Sequence, residues 1–103
     1  MKVLATTAWD VTPARVPDFL ANCGRAAEIH RRLGAEAVHL IQSMAGPVPA
    51  LTYALVFPDG ATYGAFIDTF NTDEEWLALW AEASAGERYA TIVSQSVGTD
   101  LFS

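Results

Sequence analysis

The 103-residue chain has little cysteine, histidine or positive charge, and each scarcity excludes a class of function. The lone Cys23 cannot support a disulfide framework or a CxxC or zinc spacing, and it fits a reducing compartment. Six Lys and Arg against twelve Asp and Glu leave a net charge of −6, and Arg31-Arg32 is the only dense basic cluster. Nucleic acid or an anionic membrane surface would demand a basic patch, so neither is expected as a partner. No apolar run approaches the length of a bilayer span, and the opening Met1-Lys2-Val3-Leu4-Ala5-Thr6-Thr7 turns polar too early for a secretory signal. A soluble, cytoplasmic protein is expected. With no glycine-rich phosphate cradle and no HxH, HxxxH or His-carboxylate cluster, no cofactor and no metal are expected.

The lack of charge is most informative in the middle of the chain. Val38–Met44 and Leu51–Phe57 read as strands flanking the breaker Ala45-Gly46-Pro47-Val48-Pro49-Ala50, and neither contains Lys, Arg, Asp or Glu. An open antiparallel sheet normally shows water a polar face, so both faces of this one need covering. Val3–Trp9 is a first strand, similarly uncharged, and Ala90–Val97 a fourth.

Between them lie helical patterns. From near Pro17, Phe19, Leu20, Cys23, Ala26 and Ala27 share one side, His30 falls within that apolar stripe, and Gly34 is the stop. Glu28 and Arg32 have the order of a surface i,i+4 pair. Tyr63, Phe66, Ile67 and Phe70 form a second, aromatic stripe. Thr72-Asp73-Glu74-Glu75 has the form of a capping box with Thr72 as cap, restarting a helix with Trp76, Leu77, Leu79 and Trp80 inward.

The order strand, helix, strand, strand, helix, strand over 1–103 predicts one α+β domain of the ferredoxin-like βαββαβ type: a four-stranded antiparallel sheet with its helices on one face. The helices suffice for that face alone. The other is expected to meet a second copy in an isologous homodimer, in keeping with 51% apolar and only 17% charged residues.

Arg31-Arg32-Leu33-Gly34, Val38-His39-Leu40-Ile41-Gln42, Leu51-Thr52-Tyr53-Ala54-Leu55-Val56-Phe57, Tyr63-Gly64-Ala65-Phe66, Thr72-Asp73-Glu74-Glu75-Trp76 and Val93-Ser94-Gln95-Ser96 together resemble the NIPSNAP-like branch of the dimeric α/β-barrel proteins. The resemblance covers nearly the whole chain. It implies that the second sheet face forms a dimeric α/β barrel, and that a small ligand sits between sheet and helices within each protomer. The superfamily includes cofactor-free monooxygenases of the antibiotic-biosynthesis type, haem-degrading enzymes, cyclases, stress-induced proteins and sensors, so fold membership alone does not choose an activity.

The residues that could carry chemistry are few. His30 and His39 are the candidate catalytic groups, because only histidine titrates unperturbed near neutrality. Each has a plainer reading, His30 as a packed histidine of a last helical turn and His39 as a barrel-interior side chain. They could lie on different sides of the sheet. Trp9, Tyr53, Tyr63, Phe66 and Trp80 are the candidate ligand-binding walls, since pockets for flat organic molecules use such rings with a few polar groups. Tyr53 and Tyr63 carry phenols that need partners when buried. The expected function is binding of a small apolar or aromatic molecule, and the resemblance adds cofactor-independent monooxygenation, or a related enzyme activity, as the reaction to test. The alternative is a non-catalytic binding, structural or stress-related dimer whose aromatics are plain core.

Overall fold

The computed structural model describes residues 1–46 and 50–103. Its elements are β1 (Val3–Val11), a 3₁₀ turn (Pro13–Arg15), α1 (Val16–Arg32), β2 (Ala37–Gln42), β3 (Leu51–Phe57), α2 (Gly60–Phe70), α3 (Glu74–Ser84) and β4 (Ala90–Thr99). The four strands form one antiparallel sheet in the order β2-β3-β1-β4. This is the ferredoxin-like α+β arrangement expected from the sequence, with its second helical segment split into α2 and α3. The expected hairpin connection lies in part, at 47–49, outside the described residues, while Ser43 N–H donates to the Ala50 carbonyl at 3.0 Å beside it.

The helix boundaries follow from local chemistry. Arg15 and Pro17 bracket the start of α1, where a missing N–H costs nothing, and Gly34 follows its end at φ +125°. Asp59 caps α2 by accepting from Thr62 N–H at 2.8 Å. The cap of α3 is Asp73, which accepts from Trp76 N–H at 3.0 Å, rather than the expected Thr72. Thr72 Oγ1 instead donates to the Thr69 carbonyl. Asp73 has a second partner in Arg32, 2.7 Å away, so the carboxylate serves helix end and guanidinium at once. Arg32 also reaches Glu75 at 3.4 Å, and this tertiary pairing replaces the expected local one with Glu28.

Strand register separates the two sheet faces, because successive side chains point opposite ways. Leu55 and Phe57 join Val3, Ala35 and Phe66 in the core under the helices, with Phe57 fully buried. The rows Phe57–Val3–Thr99, Leu55–Ala5–Val97 and Leu40–Tyr53–Thr7–Gln95 therefore lie on the helix side. The reverse face carries Leu4, Thr6 and Ala8 of β1, Ala37, His39 and Ile41 of β2, and Ser94 and Ser96 of β4. No helix covers it, and Ile41 is 54% exposed.

Helix cover is uneven on the first face too. Val97 and Gln95 of the edge strand β4 are exposed although they share rows with buried Leu55 and half-buried Tyr53. The helix-side floor thus runs from closed at β3 to open at β4. Leu77 and Trp80, expected inward, are each 48% exposed, because only Leu79 of α3 reaches full burial.

Candidate functional site

His30 is the one polar or charged residue among the buried ones described, with 5% of its surface exposed. It occupies the last turn of α1, and its backbone carbonyl accepts from Ala35 N–H as the chain turns into β2. The imidazole points inward to the sheet, where Nδ1 lies 2.7 Å from the Tyr53 hydroxyl of β3. Phe66 of α2 meets the ring edge-on at 5.6 Å between centroids, and Trp76 of α3 lies closer still at 4.7 Å. One side chain from each of four elements therefore converges on His30 or is His30.

Two influences compete for its charge. A helix C-terminus favours imidazolium by about 0.3–1 kcal/mol at an exposed site, whereas removal from water opposes it by more. Burial wins and holds His30 down to about 4. The ring is neutral at neutral pH; a neutral imidazole has two tautomers, and because the hydrogen bonds described give the Tyr53 hydroxyl no other acceptor, we take the one that lets it donate to Nδ1, with the imidazole proton on Nε2. Burial likewise pushes the Tyr53 phenol well above its ordinary value, with Cys23 nearby adding to the effect and Arg31 opposing it. The Cys23 thiol is itself raised to about 11 by burial, so it is present as thiol rather than nucleophilic thiolate. A neutral hydrogen-bonded acid–base pair stands inside an aromatic shell.

The other candidates divide around this centre. Phe66 is 3% exposed and joins it directly, stacking on Phe70 at 4.9 Å and an interplanar angle of 3°. Tyr63 packs edge-on against Phe57 at 5.3 Å, in the core but not in contact with the imidazole. Trp80 sits on the outer side, 5.8 Å from Trp76. Trp9 pairs with Phe19 at 5.6 Å, and Phe19 precedes His30 by about 16 Å of helix, so Trp9 belongs to the other end of the layer. His39 pairs with Ala54 across β2 and β3, is exposed, and faces away from His30. The structure therefore does not bring the two histidines together. Trp76 was legible as an inward residue of α3 but not as the nearest ring to His30, since a helical wheel fixes a direction and not a neighbour.

A separate cleft of 320 Å³ opens between α1 and α3, with Asn22 donating to the Tyr89 hydroxyl at 2.8 Å and Arg25 held by both oxygens of Glu82. Arg15 lies 4.3 Å over the Tyr89 ring. Its polar groups already satisfy one another. Among the described residues no group of three or more His, Cys, Asp or Glu is placed to hold a metal ion, and no helix is long and apolar enough to cross a membrane.

Strand order, helix placement and the interlayer pair define a ferredoxin-like α+β protein with a polar centre between sheet and helices. Comparison with solved structures finds similar folds. The chain superposes on an uncharacterised NIPSNAP domain protein from Burkholderia xenovorans with a TM-score of 0.71 at 12% identity, over 95% of this chain and 93% of that one. A NIPSNAP family protein of unknown function from Agrobacterium tumefaciens gives 0.69 at 14% identity, over 94% and 86%. SnoaB, a cofactor-independent oxygenase from Streptomyces nogalater, gives 0.67 at 16% identity, over 96% and 92%. The structural neighbours are thus those of the superfamily that the sequence pattern resembles, and at these identities the likeness is one of fold. No protein-family model and no curated protein sequence matches the chain.

Proposed function

We propose that the chain is a homodimer that admits a small apolar or aromatic molecule between sheet and helices, beside the His30–Tyr53 pair, and oxidises it with molecular oxygen without a cofactor. The observation that carries this reading is a neutral imidazole hydrogen-bonded at 2.7 Å to a phenol within an aromatic interior. The fold shared with a cofactor-independent oxygenase supports it. Half-buried Thr7 and exposed Gln95 share a row with Tyr53, and this thinly covered side of the sheet is where we place the approach from solvent.

The pair fits proton removal from an acidic phenol or enol. The substrate O–H bond breaks and its proton passes to the Tyr53 oxygen while Tyr53 passes its own proton to Nδ1 of His30, leaving a substrate anion near a neutral phenol and an imidazolium. The weak basicity of a buried imidazole is offset by the anion formed beside it. The electron-rich anion then reacts with oxygen where competing water is scarce. His39 takes no part at this site; in the homodimer it lines the interior of the α/β barrel formed by the two reverse faces.

Oxygen uptake with electron-rich polycyclic phenols tests the reaction. Tyr53→Phe and His30→Gln are each expected to lower kcat by about 100-fold for any substrate found. Unchanged turnover in both variants would sink the proton route. The second reading, a non-catalytic dimer with aromatic core, is favoured by the rings that pack around His30 at 4.7 to 5.6 Å. It predicts that no such phenol raises the melting temperature or consumes oxygen.

A further inference from the structure

The aromatic contacts do not end at the interior. From Tyr53 the rings continue through His30 at 5.5 Å to Trp76 at 4.7 Å and on to Trp80 at 5.8 Å, where 48% exposure brings the series to solvent. Trp76 and Trp80 are four residues apart on α3, so the helix itself holds their spacing. Indole and phenol are the side chains most readily oxidised by one electron, apart from thiols. The contact distances make each electron step a short one, with the imidazole bridging Tyr53 and Trp76.

We propose that Trp80, Trp76 and the Tyr53–His30 pair form a one-electron relay between the protein surface and the helix–sheet interior. A one-electron oxidant of the oxygen- or nitrogen-centred radical class takes an electron from Trp80 and is itself reduced. Trp76 refills Trp80, and Tyr53 refills Trp76. As the electron leaves, the Tyr53 O–H bond breaks and its proton forms an N–H bond at His30 Nδ1. The net products are a Tyr53 phenoxyl radical, a His30 imidazolium and a reduced oxidant, with both indoles restored. A thiolate reductant at the surface reverses the passage: it gives up one electron and leaves as a thiyl radical, the electron returns through Trp80, and the proton on His30 Nδ1 goes back to the phenol oxygen.

The hydrogen bond explains why the hole rests on Tyr53 rather than on another tyrosine. Phenol oxidation in a buried site requires a proton acceptor already in place, and the neutral imidazole at 2.7 Å is one. Tyr63 contacts the hydrocarbon ring of Phe57, and Tyr89 accepts its hydrogen bond from an amide, so neither has such an acceptor among the contacts described. The relay does not depend on the oxygenase reading: a purely structural dimer with this geometry would conduct equally well.

Pulse radiolysis with the azide radical tests it in a Trp9→Phe background, so that Trp76 and Trp80 are the remaining indoles. The indolyl band is expected to decay while the phenoxyl band grows, at a rate independent of protein concentration. Growth should vanish in Tyr53→Phe and slow by about an order of magnitude in Trp76→Phe, with near-ultraviolet circular dichroism verifying that each variant is folded. In His30→Gln the growth should slow and lose its solvent deuterium isotope effect. Phenoxyl growth that survives Tyr53→Phe, is unchanged in Trp76→Phe, or scales with protein concentration overturns the relay.

Discussion

At the scale of single residues the decisive quantity is the charge on His30. Its folded value lies near 4, below the ordinary 6.5, so the unfolded chain takes up a proton that the folded one refuses. Its contribution to stability is therefore fully present above about 6.5 and is lost as pH falls towards about 4, by on the order of 3 kcal/mol. Urea unfolding across that window should record the loss, and His30→Gln should flatten it. Tyr53→Phe leaves Nδ1 of a buried imidazole without its donor and is expected to cost about 1–2 kcal/mol at neutral pH, read as a lower urea midpoint at unchanged slope. The tyrosine variant thus weakens fold and chemistry by different amounts, which allows the two roles to be separated.

At the scale of elements, helix ends lock the layer that presents His30. Asp73 binds both the α3 N-terminus and Arg32 of α1, so Asp73→Ala should cost about 1–2 kcal/mol in thermal or urea unfolding, whereas Thr72→Ala should cost less than about 0.5. Arg25 and Glu82, each at least half exposed, should contribute little by comparison. Gly34 is held at φ +125° with an added Cβ only 3.2 Å from Thr62 Cγ2, so Gly34→Ala should destabilise by about 1 kcal/mol or more.

Elements were also where the sequence was most readable. Val38–Met44 and Leu51–Phe57 are legible as uncharged runs flanking a glycine- and proline-rich breaker, and the observed strands differ from them only at the ends of β2. The α3 cap lies one residue beyond Thr72 because Thr72 and Asp73 both have capping chemistry; Asp73 accepts from Trp76 N–H and is held from a distance by Arg32 as well. The same distance hid the replacement of the Glu28 pair. Which side of the sheet His39 takes depends on cross-strand register, and which ring touches His30 depends on how α3 docks. Neither is encoded in a local period.

At the scale of the whole molecule the issue is the bare sheet face. Its positions from Leu4 to Ser96 carry hydroxyl, methyl and larger apolar groups together with the imidazole of His39, and Asp10 near one strand end is its one carboxylate among the described residues. Water gains little there, and in the homodimer we propose, a second copy would set the same chemistry against it about a two-fold axis. Ile41→Asp should then split the assembly while leaving the circular dichroism of the protomer intact, since Ile41 is 54% exposed and contributes little to the protomer's own core. Sedimentation equilibrium of the unaltered protein at micromolar concentration tests the arrangement most directly. The expected result is a single species of twice the chain mass; a stable species of one chain mass at that concentration would contradict it.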